Sequence, residues 1–124
     1  MIRDHRRLDA FKLADEMAVR VYAATTDFPR AETYGLRAQV RRAAVSGATN
    51  IVEGCARDSD REYVRFLEVS LGSIRETIYL LDLAGRLQMV KPEVCAELTS
   101  FGGRAAAAVA ALRKTTKQKM MPPS

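Results

Sequence analysis

Three short interruptions divide a sequence that otherwise favours helix along its whole length. FPRAE at residues 28–32 contains a proline, CARDSDRE at 55–62 is a polar joint, and QMVKPE at 88–93 places a proline where a first helical turn tolerates it. The chain has only four prolines and seven glycines, and alanine, the strongest helix former, is abundant. We therefore predict four helices, at residues 8–25, 31–55, 59–88 and 92–114.

Four helices in one chain predict a single domain. With 124 residues the chain is long enough for one core and too short for two ordinary domains. We predict an all-α, antiparallel, up-down four-helix bundle over residues 1–114. The remaining segment, TTKQKMMPPS, shows no apolar periodicity. We predict that this segment, at 115–124, is a basic, disordered tail.

The two middle segments carry apolar side chains on two sides. Those that lie away from the main apolar stripes are Val45 and Val52 in the second segment, and Val69, Leu80, Leu83 and Leu87 in the third. A helix that is apolar on two sides must bury both, and a four-helix monomer has one interior. We predict a homo-oligomer whose interface contains these six residues. The alternative is a scatter of surface aliphatic side chains.

Positive charge is the second unusual feature of the composition. The net charge is +5, and 15 of the 20 basic residues are arginine, whose planar fork suits phosphate. On charge alone, a polyanion partner and an ordinary solvated basic surface are equally favoured. Arg37 and Arg41 lie one turn apart on the second segment, and Arg42 splays away from Arg41. Aromatic side chains do not interleave with these arginines, so contacts would go to phosphates rather than to stacked bases.

Polar residues lie beside the apolar stripes of the same two segments. Gln39, Asn50 and Glu53 flank the stripe of the second, and Ser73 and Glu76 that of the third. A buried polar group without a partner costs about 1–3 kcal/mol. We therefore predict that these five side chains form a hydrogen-bonded network between the two helices, in preference to a catalytic site.

The sequence lacks the residue patterns of the common enzyme classes. The only histidine, His5, precedes the first helix, so the paired Glu-x-x-His ligands of a di-iron bundle cannot form. No Ser-His-Asp or Cys-His arrangement and no glycine-rich phosphate loop is recognisable. We predict a protein that is not an enzyme and uses no cofactor or metal. The weaker alternative is a magnesium-dependent phosphohydrolase that uses Glu53 and Glu76.

The cysteines and the lengths of the apolar runs bear on where in the cell the protein is located. Cys55 and Cys95 are far apart and neither belongs to a CxxC pair, which favours free thiols in a reducing compartment. No apolar run has the length of a membrane span, and no apolar segment follows the basic N-terminus. We predict a cytoplasmic protein that does not contact a membrane.

Several motifs occur in a fixed order along the chain. They are FP at 28–29, ExxGLxxQxRRAAxS at 32–46, NIxEG at 50–54 and GSxxE at 72–76. In this order they resemble the four-helix-bundle family of proteins encoded in intervening sequences of bacterial large-subunit ribosomal RNA genes. That family is related to the accessory proteins of diversity-generating retroelements. The resemblance extends from residue 8 to about residue 112.

The resemblance implies an antiparallel bundle that assembles as a ring-shaped homopentamer. In the related branch, a basic pentamer is thought to bind nucleic acid and a partner reverse transcriptase. By resemblance, the nucleic-acid-binding residues are Arg37, Arg41 and Arg42. The residues it implies as a structural polar set are Asn50, Glu53, Ser73 and Glu76.

These observations favour a non-enzymatic, basic, homo-oligomeric helical bundle that binds RNA or DNA through backbone phosphates. The competing function is a protein-interaction scaffold that recruits a partner protein, with its positive charge incidental.

Overall fold

The computed structural model describes residues 3–122, and every regular element in that range is a helix. The four long helices are α1 (Asp9–Thr25), α2 (Leu36–Cys55), α3 (Asp60–Arg86) and α4 (Pro92–Met120). Short 3-10 turns at His5–Arg7 and Arg30–Glu32 precede α1 and α2. None of the helices in the described range combines the length and the apolar character that a membrane span requires.

The second helix begins later than the sequence predicts. Residues 30–32 form a separate 3-10 turn, and α2 starts at Leu36 rather than at residue 31. The Glu32 carboxylate accepts a hydrogen bond from the Leu36 backbone N–H at 2.8 Å. This contact satisfies one of the N–H groups that a helix start leaves unpaired, so Glu32 lies outside the helix and caps it.

The fourth helix ends later than predicted, at Met120 instead of residue 114. The prediction of a disordered tail is therefore wrong for residues 115–120. Thr116 is buried, and its hydroxyl donates to the Leu112 carbonyl at 2.8 Å. Burial of this side chain and the good helix propensity of lysine and glutamine continue the helix where apolar periodicity has stopped. Residues 1–2 of the predicted domain and 123–124 of the predicted tail lie outside the described residues.

The four helices surround one core. α1 packs against α2 and α4, and α3 packs against the same two helices. All four contribute to the fully buried apolar side chains at the centre, which are Met17, Val21, Val40, Ile51, Leu67, Ile74, Leu81 and Val109. This is the packing pattern expected of a four-helix bundle.

The contact between α2 and α3 is unusually close because glycine stands at two positions of α2. A Cβ atom at Gly47 would come within 2.9 Å of Ile74 Cγ1, and one at Gly54 within 2.9 Å of Phe66 Cβ. The Ser70 hydroxyl reaches the α2 backbone and donates to the Gly47 carbonyl at 2.6 Å. Small residues therefore bring the two backbones together.

Replacing Gly54 by alanine tests this close approach. The added methyl group would overpack against Phe66, at a cost of about 1–3 kcal/mol, which exceeds the gain of about 1 kcal/mol in helix propensity. Gly72→Ala is the matched control, because a Cβ there meets nothing within 4 Å. We expect urea denaturation to show Gly54→Ala less stable, and Gly72→Ala more stable, than the unmodified protein. Equal gains in both variants would contradict the close packing.

Candidate nucleic-acid interface

Arg37, the first of the three arginines predicted to bind phosphate, is engaged by the protein itself. Its Nη2 donates to the backbone carbonyls of Phe28 at 2.9 Å and Thr26 at 3.2 Å. Both carbonyls follow the last turn of α1, where backbone oxygens have no partners within the helix. The half-buried Arg37 side chain thus ties α2 to the connection that precedes it.

Arg41 makes similar contacts one turn further along α2. Its Nε donates to Thr25 Oγ1 at 2.7 Å, and its Nη2 donates to the Tyr22 carbonyl at 3.1 Å. The guanidinium carbon lies 4.4 Å from the centre of the Tyr22 ring, a cation–π contact. The sequence placed Arg37 and Arg41 on an outward-facing surface, but the structure directs both toward the C-terminal end of α1.

Arg42 alone keeps the outward position that the sequence predicts. Its side chain is exposed, and within residues 3–122 it forms no ion pair. One free arginine is too small a surface to account for polyanion binding, because each phosphate neutralised contributes separately to affinity. Of the three arginines predicted to form the interface, only Arg42 is therefore available to bind phosphate.

The polar network between α2 and α3 is smaller than predicted and passes through a residue the prediction omitted. Ser46 Oγ and Ser73 Oγ are 2.8 Å apart, which links the two helices. Asn50 Nδ2 donates to the Ser46 carbonyl and to Ser46 Oγ, both at 2.9 Å. The sequence signal for Ser46 was its position one turn before Asn50 on the same side of the helix.

Three members of the predicted network are not part of it. Gln39, Glu53 and Glu76 are exposed, and none of them makes a side-chain hydrogen bond to the part of the chain that the structure describes. They lie on the rim of the helix pair, where water reaches them. Their inclusion in an internal network was wrong because residues on the shoulder of an apolar stripe can point to solvent as readily as to the core.

The residues predicted to mediate self-association divide into three groups. Val45, Val69 and Leu87 are exposed, by 41%, 52% and 53% of their surface, whereas Val52 and Leu83 are half-buried. Leu80 is only 4% exposed and belongs to the core, so its placement on an outer stripe was wrong. The large exposed apolar side chains of the helices that the prediction missed are Val19, Tyr22, Tyr79 and Met120.

Cations gather at one end of the helices, where the segment before α1, the α2–α3 connection and the last turns of α4 meet. Residues of all three parts line one cleft of about 530 Å³. We call this region the basic end. Its basic residues are Arg3, Arg6, Arg7, Arg57, Arg61, Lys114, Lys117 and Lys119. The sequence did not predict that these residues lie together, because they are distant along the chain and α4 was predicted to end before most of its lysines.

Arg3 holds the parts of the basic end together. Its Nη1 donates to the Arg57 carbonyl at 2.7 Å, and its Nη2 forms an ion pair with Asp60 in the first turn of α3. Its guanidinium carbon lies 4.2 Å from the centre of the Tyr63 ring. The segment before α1 is thereby fixed to the α2–α3 connection.

The groups beneath Arg3 carry no negative charge near neutral pH. Burial raises the pKa of Tyr63, and the neighbouring Cys55 thiol raises it further. Burial also raises the pKa of Cys55. Because both groups stay protonated, they do not offset the cations above them.

Ion pairing distinguishes the two ends of the helices. At the basic end, Asp4 is committed to Arg6, whose hydrogen bonds lower the pKa of Asp4. Exposed cations at this end that form no ion pair within the described chain are Arg7, Arg57, Arg61, Lys114, Lys117 and Lys119. Toward the other end, Arg20 pairs with Glu16 and Glu97, and Arg86 pairs with Asp82. Two exposed carboxylates of the same region, Asp58 and Glu62, also form no ion pair within the described chain, so six unpaired cations exceed them and the basic end keeps an excess of positive charge.

The acidic side chains give no sign of a metal centre. In residues 3–122, no three or more His, Cys, Asp or Glu side chains stand close enough to hold an ion together.

Comparisons with known proteins identify one family. A family model described as "23S rRNA-intervening sequence protein" matches residues 6–107. Among solved structures, a protein of unknown function from the S23 ribosomal protein family of Bacteroides thetaiotaomicron is similar, with a TM-score of 0.78 and 20% sequence identity. The match covers 85% of this chain and 95% of that one, and at this identity it shows a shared fold. No curated protein matches the chain.

The different environments of adjacent arginines give a direct prediction. Arg41→Ala would remove two charged hydrogen bonds, to Thr25 Oγ1 and to the Tyr22 carbonyl, and the cation–π contact with Tyr22, and we expect it to lower the free energy of unfolding by about 1–3 kcal/mol. Arg42→Ala removes an exposed side chain and should change it by less than about 0.5 kcal/mol. Urea denaturation of both variants checks this. Equal effects would contradict a structural role for Arg41.

Proposed function

The chain belongs to the 23S rRNA-intervening sequence protein family, and from that premise we propose that it is a non-enzymatic protein that binds RNA through backbone phosphates at its basic end. The observation that carries the proposal is the excess of unpaired cations there, drawn from three separate parts of the chain. The family name refers to ribosomal RNA, which supports RNA over DNA as the partner.

The helical structure of the α4 C-terminal turns strengthens the proposal. Lys114, Lys117 and Lys119 lie on a helix whose Thr116 is anchored in the core. A helix that is already ordered in the free protein loses little conformational entropy when it binds a ligand. Lysine ammonium groups act as point charges toward phosphate without demanding one orientation. Binding through these groups would be strong at low salt and largely independent of sequence.

We also propose that the helices run antiparallel in an up-down order. On α2, the earlier glycine, Gly47, lies against Ile74, and the later one, Gly54, lies against Tyr63 and Phe66. Residue numbers therefore rise along one helix as they fall along the other. The short α2–α3 connection, with only Ala56 to Ser59 between the helices, suits this arrangement.

Self-association into a ring is the second part of the proposal. Each chain exposes two separate sets of apolar side chains. We group them by helix: the α1–α2 patch comprises Val19, Tyr22 and Val45, and the α3 patch comprises Val69, Tyr79 and Leu87, which are spread along the length of that helix. Two different patches that bind each other head to tail produce a closed ring when the rotation closes. The resemblance described above implies five subunits, and a ring would repeat the basic end around its axis.

A protein-interaction scaffold is the competing function, and the same exposed apolar patches favour it. In that case a partner protein would cover the α1–α2 patch or the α3 patch, and the basic end would not bind nucleic acid. We assign no catalytic step to Glu53 and Glu76, since both carboxylates are solvated. The free thiols of Cys55 and Cys95 support a cytoplasmic location as part of the proposal.

The first test reverses charge at the basic end. We expect Lys114→Glu combined with Lys117→Glu to weaken binding of a single-stranded RNA at least tenfold at low salt and to flatten the salt dependence. The matched control reverses two cations elsewhere, Arg30→Glu with Lys91→Glu, and should change affinity much less. Fluorescence anisotropy titrations at several salt concentrations measure both effects. RNA binding that is absent at every salt concentration would favour the scaffold.

The second test concerns the ring. Light scattering of the unmodified protein should give a mass of several chains, and Val45→Glu or Leu87→Glu alone should abolish ring closure, because a buried unpaired charge is costly. An equimolar mixture of the two variants should form a dimer, since each retains the patch that the other has lost. Thr49→Glu, on the exposed side of α2, is the control. A mixture that stays monomeric would contradict head-to-tail contact.

A further inference from the structure

The cleft at the basic end has the size of a small-molecule site, and most of its lining is charged. Its volume of about 530 Å³ falls within the range of ~300–1,000 Å³ that is usual for ligand pockets. Arg7 contributes from the segment before α1, Asp58 from the α2–α3 connection, and Lys119 from the last turn of α4. Three parts of the chain therefore converge on one concave surface.

The cations of the cleft are available for an anion. Arg7 and Lys119 are exposed, and within residues 3–122 they form no ion pair. Arg3, in the wall, has donors left after its bonds to the Arg57 carbonyl and Asp60, because a guanidinium group carries five N–H donors. A phosphate group between them would accept charge-assisted hydrogen bonds, which are about twice as strong as neutral ones.

The rest of the cleft is not suited to phosphate alone. Leu8 and Leu112 give it an apolar lining. Three carboxylates also line the cleft: Asp4 is paired with Arg6, Asp60 is paired with Arg3, and Asp58 forms no ion pair with another described residue. A carboxylate accepts hydrogen bonds from ribose hydroxyls in other nucleotide-binding sites. Cations, an apolar surface and one free carboxylate correspond to the phosphate, the base and the ribose of a nucleotide.

We propose that this cleft binds the terminal nucleotide of an RNA strand that carries a 5′-phosphate. A terminal phosphate monoester carries about −1.5 to −2 charges, whereas an internal phosphodiester carries one. Arg7 and Lys119, the two cations of the lining that form no ion pair within residues 3–122, match the larger charge, while Arg3 is already paired with Asp60 and offers only its remaining N–H donors. This inference rests on the proposed RNA binding and adds to it a preference for phosphorylated strand ends. The remaining lysines of α4 would hold the backbone that leads away from the cleft.

The test compares two RNA oligonucleotides of the same sequence, one with a 5′-phosphate and one with a 5′-hydroxyl. By anisotropy we expect the phosphorylated strand to bind about tenfold more tightly, as for a gained charge-assisted contact. Lys119→Glu should remove this preference. Lys117→Glu makes the same charge change on the same helical turn, outside the cleft lining. It should weaken both strands and keep the preference.

A third variant tests the ribose contact. With 5′-phosphorylated RNA and DNA of matched sequence, the unmodified protein should prefer RNA, and Asp58→Asn should reduce that preference. Asp58 is exposed in the α2–α3 connection, so its replacement leaves the core untouched, which circular dichroism can verify. An equal rise in affinity for both strands would show simple relief of charge repulsion and would overturn the ribose contact.

The outcomes separate this inference from the proposed function. Suppose that strands with phosphorylated and hydroxyl ends bind equally well, and that Lys114→Glu with Lys117→Glu abolishes binding of both. This result would contradict the cleft inference, whereas the proposed RNA binding at the basic end would stand. The cleft inference would also fail if Lys117→Glu removed the preference as completely as Lys119→Glu. No binding of either strand at any salt concentration would overturn both.

Discussion

The close approach of α2 to α3 is the contact on which the other features depend. Gly47 and Gly54 admit the α3 side chains to the α2 backbone, and the Ser70 hydroxyl fixes the register by donating to the Gly47 carbonyl. This register sets the position of the short connection between the two helices. That connection supplies Arg57 and Asp58 to the region where the segment before α1 and the end of α4 meet. The packing of small residues thus determines which distant cations become neighbours.

Several arginine side chains at the helix ends bind backbone and side-chain groups of the protein itself. Arg37 and Arg41 donate to groups in the last turn of α1 and just beyond it, and Arg3 donates to the Arg57 carbonyl just after α2. Helix ends leave carbonyl groups without partners, and a guanidinium group can reach them while stacking on an aromatic ring. A high arginine content is therefore a poor measure of the surface left for a ligand. The lysines at the end of α4 share the unpaired charge of the basic end with Arg7, Arg57 and Arg61.

Local signals were sufficient to predict the helices and the family, and the family assignment confirms the resemblance. The start of α2 was misplaced because the Glu32 cap acts through a side chain rather than through periodicity. The end of α4 was missed because one buried threonine, Thr116, replaces the apolar stripe. The charged site depends on tertiary structure. Arg41 and Arg42 are adjacent and chemically identical, and only the position of α1 separates a structural residue from an exposed one.

The most direct test of the central claim, that free positive charge at the basic end binds RNA, is lysine footprinting. An amine-reactive reagent would label the folded protein with and without RNA, and mass spectrometry would report each lysine. The account predicts protection of Lys114, Lys117 and Lys119 by RNA, with Lys91 labelled equally in both samples. Protection centred on Lys91, or equal labelling of every lysine under conditions where RNA is bound, would contradict it.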